Sequence, residues 1–187
     1  MFILYSVVFG VLLGFALGGR LANLASIEFR WPWLAIAGFA VQVALFSPSV
    51  GDSVGAAGPP IYVASTGAVL VAVLRNVRVP GLALVAVGAA SNLAAIVANG
   101  GLMPTTPAAQ AVAGLSIEEG FTNSIVVANP GLEPLTDIYA LPAWVPFANV
   151  FSIGDVLIAL GVVMVIVIGM RSAPAAVREG AVPVSRA

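Results

Sequence analysis

The chain has no cysteine and no histidine. The first absence removes disulfides, thiolate nucleophiles and cysteine-ligated metals. The second removes the commonest metal ligand and the usual general base near neutral pH. Four methionines without such neighbours do not make a haem, copper or zinc site, so neither a metal nor a cofactor is expected. Any catalysis must come from carboxylates, amides and hydroxyls. Charge is scarce as well: 8% of the 187 residues are charged, against about 25% in ordinary soluble domains. With a net charge of −1 nothing points to nucleic acid, and none is expected as a partner.

What fills the sequence is apolar: 60% of residues are hydrophobic and the mean hydropathy is +1.09. Runs with no charge, or almost none, cover 1–19, 31–51, 53–74, 79–99 and 156–170. Most of them match the length needed to cross a hydrocarbon core about 30 Å thick. The expected fold is an all-α integral membrane protein whose main partner is the lipid bilayer. Five transmembrane helices are predicted, over about 2–19, 31–48, 59–74, 79–99 and 153–170. They form one polytopic domain over 1–171, with an irregular outer segment at 100–152 and a disordered cytoplasmic tail at 172–187.

All seven basic residues are arginines, at 20, 30, 75, 78, 171, 178 and 186, and they follow the first, third and fifth predicted helices. Basic residues accumulate on the cytoplasmic side of a membrane, which places the N-terminus outside and the C-terminus inside. Asp52, Glu118, Glu119, Glu133, Asp137 and Asp155 then lie outside. The same bias strips basic residues from that side, so its acidity alone implies no cation site. Ala16-Leu17-Gly18 has the small-residue look of a cleavage site, but no basic stretch precedes the apolar run, and a retained helix is expected.

Several helix ends are legible. Pro59-Pro60 and Pro80 suit first turns, where a missing N–H costs nothing. Gly10, Gly14 and Gly18 form a ridge that admits a neighbouring backbone. Gln42, Ser65, Thr66, Ser91 and Asn92 lie inside predicted helices and need hydrogen-bond partners there; helix-to-helix bonding is the plain reading, and a binding path at Asn92 the other. Asn99-Gly100-Gly101 reads as a helix C-terminus followed by a loop whose backbone can approach a ligand. Thr106-Pro107 predicts an N-cap and a short helix over 108–113, and Ile125-Val126-Val127 allows one short strand. Ser152-x-x-Asp155 is a capping-box pattern that opens the last helix. Asp137 reads either as a turn residue or, with Asp155, as an outer acid held at the membrane boundary.

Two resemblances rest on these residues. Gly18-Gly19-Arg20-Leu21, Asn99-Gly100-Gly101-Leu102-Met103-Pro104, Thr136-Asp137-Ile138 with Leu141-Pro142, and the run from Asn149 to Asp155 resemble a family of small bacterial integral membrane proteins known only as a domain of unknown function. That resemblance implies a multi-pass protein of the bacterial cytoplasmic membrane and no particular activity. The C-terminal part is also similar to lipoprotein signal peptidases, in which an Asp and a later Phe-Asn-x-Ala-Asp element supply two catalytic carboxylates at the outer face. Asp137 and Phe151-Ser152-Ile153-Gly154-Asp155 match by type and spacing, with Ser152 standing where that family has Asn.

Three functions remain open on this evidence. The first is an accessory or assembly protein with an outward-facing Asn/Asp site and a membrane-protein partner. The second is an aspartic peptidase acting on a membrane-embedded peptide, with Asp137 and Asp155 catalytic and Asn92, Asn99, Gly100 and Gly101 positioning substrate. The third is a small-solute carrier, which the lack of an internal repeat or midplane charge disfavours.

Overall fold

A computed structural model describes residues 2–115 and 124–172. Glu118, Glu119 and the expected tail from 173 lie outside the described residues. The described chain is mainly helical, with α1 (Phe2–Ala16), α2 (Pro32–Leu45), α3 (Pro48–Val54), α4 (Gly58–Arg75), α5 (Leu82–Ala98), α6 (Pro107–Ala113) and α7 (Ile153–Arg171). Proline sets the start of α2, α3, α4 and α6, occupying the first or second helical position. Pro80 departs from the expectation. It lies in the turn before α5, and Gly81 takes the cap position at φ +95°.

The five longer helices pack in the order α1, α7, α5, α4, α2. Glycine sets the closest of these contacts. Gly81 at the cap of α5 and Gly88 within it stand seven residues apart, as do Gly154 and Gly161 on α7, and antiparallel packing brings Gly81 against Gly161 and Gly88 against Gly154. A Cβ on Gly161 would sit 2.7 Å from the Gly81 carbonyl oxygen, and one on Gly154 would sit 2.8 Å from that of Gly88. Side chains would therefore push the two backbones apart. The ridge expected on α1 is shorter than predicted. Gly10 and Gly14 meet Ile166 and Met170 of α7, whereas Gly18 lies beyond the helix and Gly19 takes its place against Met170.

Polar side chains fix the ends. Asn76 donates to Ala72 O and Arg30 O at 2.8 Å each and accepts from Arg30 N at 2.7 Å, pinning the entry of α2 to the exit of α4. Met170 O accepts from Arg20 N at 2.8 Å and Asn23 Nδ2 at 2.7 Å, which ties the end of α1 to the end of α7. Gln42 bonds Thr66 at 3.2 Å between α2 and α4, the helix-to-helix role expected of it. The arginines among the described residues thus gather at one end of the bundle, and the segment between α5 and α7 covers the other.

Two helices, Gly55–Arg75 with its 3-10 lead-in and Ile153–Arg171, are long and apolar enough to cross a membrane, while α1, α2 and α5 are shorter apolar helices. Large apolar side chains, among them Phe9 and Leu12 of α1 and Ile36 and Val43 of α2, point outward and are exposed. The segment predicted to be irregular contains two small sheets. In one, β1 (Met103–Thr105) pairs in parallel with β2 (Ser124–Val126); in the other, β3 (Tyr139–Ala140) pairs antiparallel with β4 (Val150–Phe151). Met103 packs with Leu45, Tyr62, Ala95 and Ile96, so β1 is seated on the ends of α2, α4 and α5.

Candidate functional site: a carboxylate pair at the capped end of the bundle

Asp155 is placed by the start of α7. The Ser152 hydroxyl accepts from Asp155 N at 3.0 Å, and Asp155 Oδ2 accepts from Ser152 N at 3.1 Å, a complete capping box. The other carboxylate oxygen, Oδ1, accepts from Asn92 Nδ2 at 2.8 Å. Asn92 Oδ1 in turn accepts from the Ser152 hydroxyl at 2.7 Å, so Ser152, Asn92 and Asp155 form a closed ring of hydrogen bonds. Gly154 makes the ring feasible, because a Cβ there would collide with Asn92 Oδ1.

Asp137 reaches the same place from the cap. Thr136 closes the 3-10 turn at Glu133–Leu135 by bonding Glu133 O through both its amide and its hydroxyl, and Ile138 N then bonds Thr136 O at 2.9 Å, leaving Asp137 at the tip of a three-residue turn. Its backbone is held on β1: Asp137 N donates to Pro104 O at 2.9 Å and its carbonyl accepts from Thr105 Oγ1 at 3.0 Å. The residue is 6% exposed, and its Oδ1 has no hydrogen-bond partner among the described residues. Burial first, and the charge of Asp155 second, push the Asp137 carboxyl up to about 7. A carboxyl so placed keeps its proton to a higher pH than a solvated carboxyl does.

Asp137 and Asp155 both line one cavity of about 500 Å³. Its other walls are Asn149 and Val150 of the β3–β4 hairpin and Phe2, Ile3, Leu4 and Val7 of α1. The start of α1 is fixed to the hairpin by a stack of rings: Phe2 on Phe151 at 4.3 Å and Phe151 on Tyr139 at 5.7 Å. The Tyr5 hydroxyl donates to Pro146 O as well. One side of the cavity is therefore carboxylate and amide, and the other is hydrocarbon.

Of the residues singled out from the sequence, Asp137, Asp155 and Asn92 come together; Asn99, Gly100 and Gly101 do not line the cavity. Asn99 closes α5 by donating to Ala95 O at 2.7 Å, and it holds the loop at Gly131 through bonds of 2.8 Å in both directions. Gly100 and Gly101 have φ of +72° and +91°, and the Gly101 amide caps Ile96 O at 2.8 Å. A Cβ on Gly101 would meet Pro59 at 2.6 Å. These three residues do the structural half of what was expected of them. Asn149 was not singled out. Its place in the run leading to Asp155 was visible, but its position on the cavity wall needed the hairpin. Among the described residues no group of three acidic side chains could hold a metal ion.

The fold and the site together define a mainly helical chain with apolar helices, capped at one end over a carboxylate pair. The chain belongs to the family of unknown function DUF5317, whose family model matches residues 26–167. The match includes Asn92, Asp137, Asn149 and Asp155 and leaves α1 outside it. No curated protein and no solved structure matches the chain.

Proposed function

We propose that the chain is a multi-pass protein of the bacterial cytoplasmic membrane, and that the carboxylate pair at its outer end hydrolyses a membrane-embedded peptide. In this reading α1, α2, α4, α5 and α7 are the five spans and the arginine-bearing end faces the cytoplasm. The outward apolar faces of α1 and α2 support the embedding, since a soluble monomer rarely exposes so large a contiguous apolar surface. The observation that carries the catalytic half is the shared cavity of Asp137 and Asp155, with Asp137 buried and its carboxyl raised to about 7. Two acids so arranged divide the labour of amide hydrolysis.

Asp155, held by Asn92 and Ser152, takes a proton from a water molecule as the water oxygen bonds to the scissile carbonyl carbon. Protonated Asp137 donates to the carbonyl oxygen. As the tetrahedral adduct collapses, the C–N bond breaks and the proton on Asp155 passes to the leaving nitrogen, while Asp137 recovers its own. The resemblance of Asp137 and Phe151–Asp155 to lipoprotein signal peptidases, read from the sequence alone, implies the same two carboxylates. The accessory-protein reading requires no second acid in the cavity, and the pair therefore favours hydrolysis.

The test compares membrane fractions from cells carrying the wild-type protein, Asp137→Asn, Asp155→Asn or both, by mapping protein N-termini with mass spectrometry. Each single variant, present at normal abundance, is expected to accumulate the same uncleaved membrane protein, and the double variant no more of it, because groups acting as a unit are non-additive. Identical sets of N-termini in all four strains would sink the hydrolase reading.

A further inference from the structure

The tip of the β3–β4 hairpin is apolar, and no charged residue lies between Asp137 and Asp155. Turns in water are built largely from Gly, Asn, Asp and Ser, whereas this loop runs Leu141-Pro142-Ala143-Trp144-Val145-Pro146-Phe147-Ala148. Two turns fold it: Val145 N bonds Pro142 O at 2.9 Å, and Ala148 N bonds Val145 O at 3.1 Å. Phe147 takes the third position of the second turn at φ +55°, a conformation that Gly or Asn adopts cheaply and an aromatic residue rarely does. Trp144 is 83% exposed and Phe147 66%. Two large rings thus stand outward, one of them on strained backbone, and water rewards neither.

The contacts that hold the tip also set its depth. Ala143 N bonds Val112 O of α6 at 2.9 Å, and the Tyr5 hydroxyl donates to Pro146 O. Tyr5 belongs to the first turn of α1, so the tip sits beside that helix and not beyond its end. Val8, Phe9 and Leu12 follow Tyr5 at the spacings of one helical face, and all four are exposed. The outward apolar face of α1 therefore runs on into the tip. A single residue, Ser152, separates β4 from α7, whose 19 residues cover about 28 Å at about 1.5 Å each, close to a hydrocarbon core about 30 Å thick. The start of α7, and the hairpin joined to it, fall at the boundary of such a core.

We propose that the hairpin tip inserts into the outer leaflet of the bilayer, with Trp144 and Phe147 at the level where headgroups meet acyl chains. Indole suits that level, since its ring is apolar and its N–H can meet headgroup oxygens. With no charge on the tip, insertion depends on apolar contact and needs no anionic lipid. The hairpin and the start of α1 also wall the carboxylate cavity, so the inserted tip sets that cavity at the lipid boundary. The assignment rests on the reading of the chain as membrane-embedded and is independent of hydrolysis.

The test uses the full chain in vesicles of zwitterionic phosphatidylcholine whose acyl chains carry bromine at a shallow, a middle or a deep carbon. Trp31→Phe with Trp33→Phe leaves Trp144 as the one tryptophan of three, and a ring remains for Arg75 to cover. A second reporter replaces all three tryptophans by Phe and adds Phe9→Trp on the outward face of α1. Trp144 fluorescence is expected to be quenched most by the shallow bromine, and less by aqueous acrylamide than free indole is. The Phe9→Trp reporter is expected to be quenched most by a deeper bromine. Phe147→Gly suits the backbone of the turn, so it tests the ring without unfolding the loop. In that variant quenching of Trp144 by bromine is expected to fall and quenching by acrylamide to rise.

If acrylamide quenches Trp144 as freely as indole while bromine quenches only the Phe9→Trp reporter, insertion is overturned and the embedded bundle stands. Shielding of Trp144 from bromine and acrylamide alike would mean that a protein surface covers the tip, and would overturn lipid as its occupant. If bromine quenches neither reporter, the membrane reading itself fails. An unchanged profile in Phe147→Gly would overturn the part assigned to Phe147.

Discussion

Asn76 and Asn99 carry out the same task at opposite ends of the bundle. Each closes a helix by donating to the carbonyl four residues back, and each grips a distant backbone, at Arg30 and Gly131. Asn92 differs because it lies inside α5, where every backbone carbonyl is already used, so its amide must leave the helix, and it finds Ser152 and Asp155. That contrast explains what was legible at this scale. A mid-helix amide announces that it needs a partner, whereas an Asn before two glycines reads equally as a cap and as a ligand contact. Only the position of Gly131, thirty-two residues on, decides the second case.

The raised carboxyl of Asp137 has a consequence for stability. Between the ordinary carboxyl value near 4 and about 7, the native state holds a proton that the unfolded state has lost, so stability falls as pH rises through that window. Asp137→Asn removes the effect. Unfolding in detergent is expected to show the variant more stable than wild type at pH 8, by at most about 4 kcal/mol, with the advantage gone at pH 4. A constant difference across that range would mean that Asp137 is not desolvated as described.

At the scale of elements, the contact between α5 and α7 is made by backbone, and single methyl groups are enough to break it. Gly154→Ala places a methyl where Asn92 Oδ1 lies. The expected result is a loss of about 1–3 kcal/mol in detergent unfolding, typical of overpacking, together with loss of the Asn92–Asp155 bond. Gly67→Ala, in open space on α4, is the control and is expected to be neutral or slightly stabilising. Equal tolerance at the two positions would contradict the close packing.

Helix starts were readable because proline and the Ser152 capping box act within four residues. The glycine pairing was not, since spacings of seven in two helices gain meaning only when the helices are brought together antiparallel. Apart from the short strand allowed at Ile125-Val126-Val127, which β2 overlaps, the small sheets were hidden for a different reason. Strands of two or three residues are too short for a period-two pattern, and the bonds of Asp137 to Pro104 and Thr105 join positions more than thirty residues apart.

For the whole molecule, the order α1, α7, α5, α4, α2 could not be read from hydropathy, which locates spans and is silent about neighbours. Orientation was read from the arginines, and the bundle brings Arg20 and Arg171, and Arg30 and Arg75, to one end. A reporter fused after Ala187 is expected to be active only in its cytoplasmic form, and one inserted at Glu118 only in its external form. An internal signal at Glu118 would put the carboxylates on the cytoplasmic side and remove the outer-face site.

The glycine contact also has a mechanical side. Val85 and Ile158 flank the paired glycines along this seam, and the polar group that projects across it beside Gly154 is the amide of Asn92. It works as a detent. A slip of one helical turn, about 5.4 Å, would lift the amide out of its seat and carry Asp155 out of its reach. The bond that orients the carboxylate thus also depends on the axial register of α5 against α7, and a force that moved one helix along the other by a turn would disengage the site.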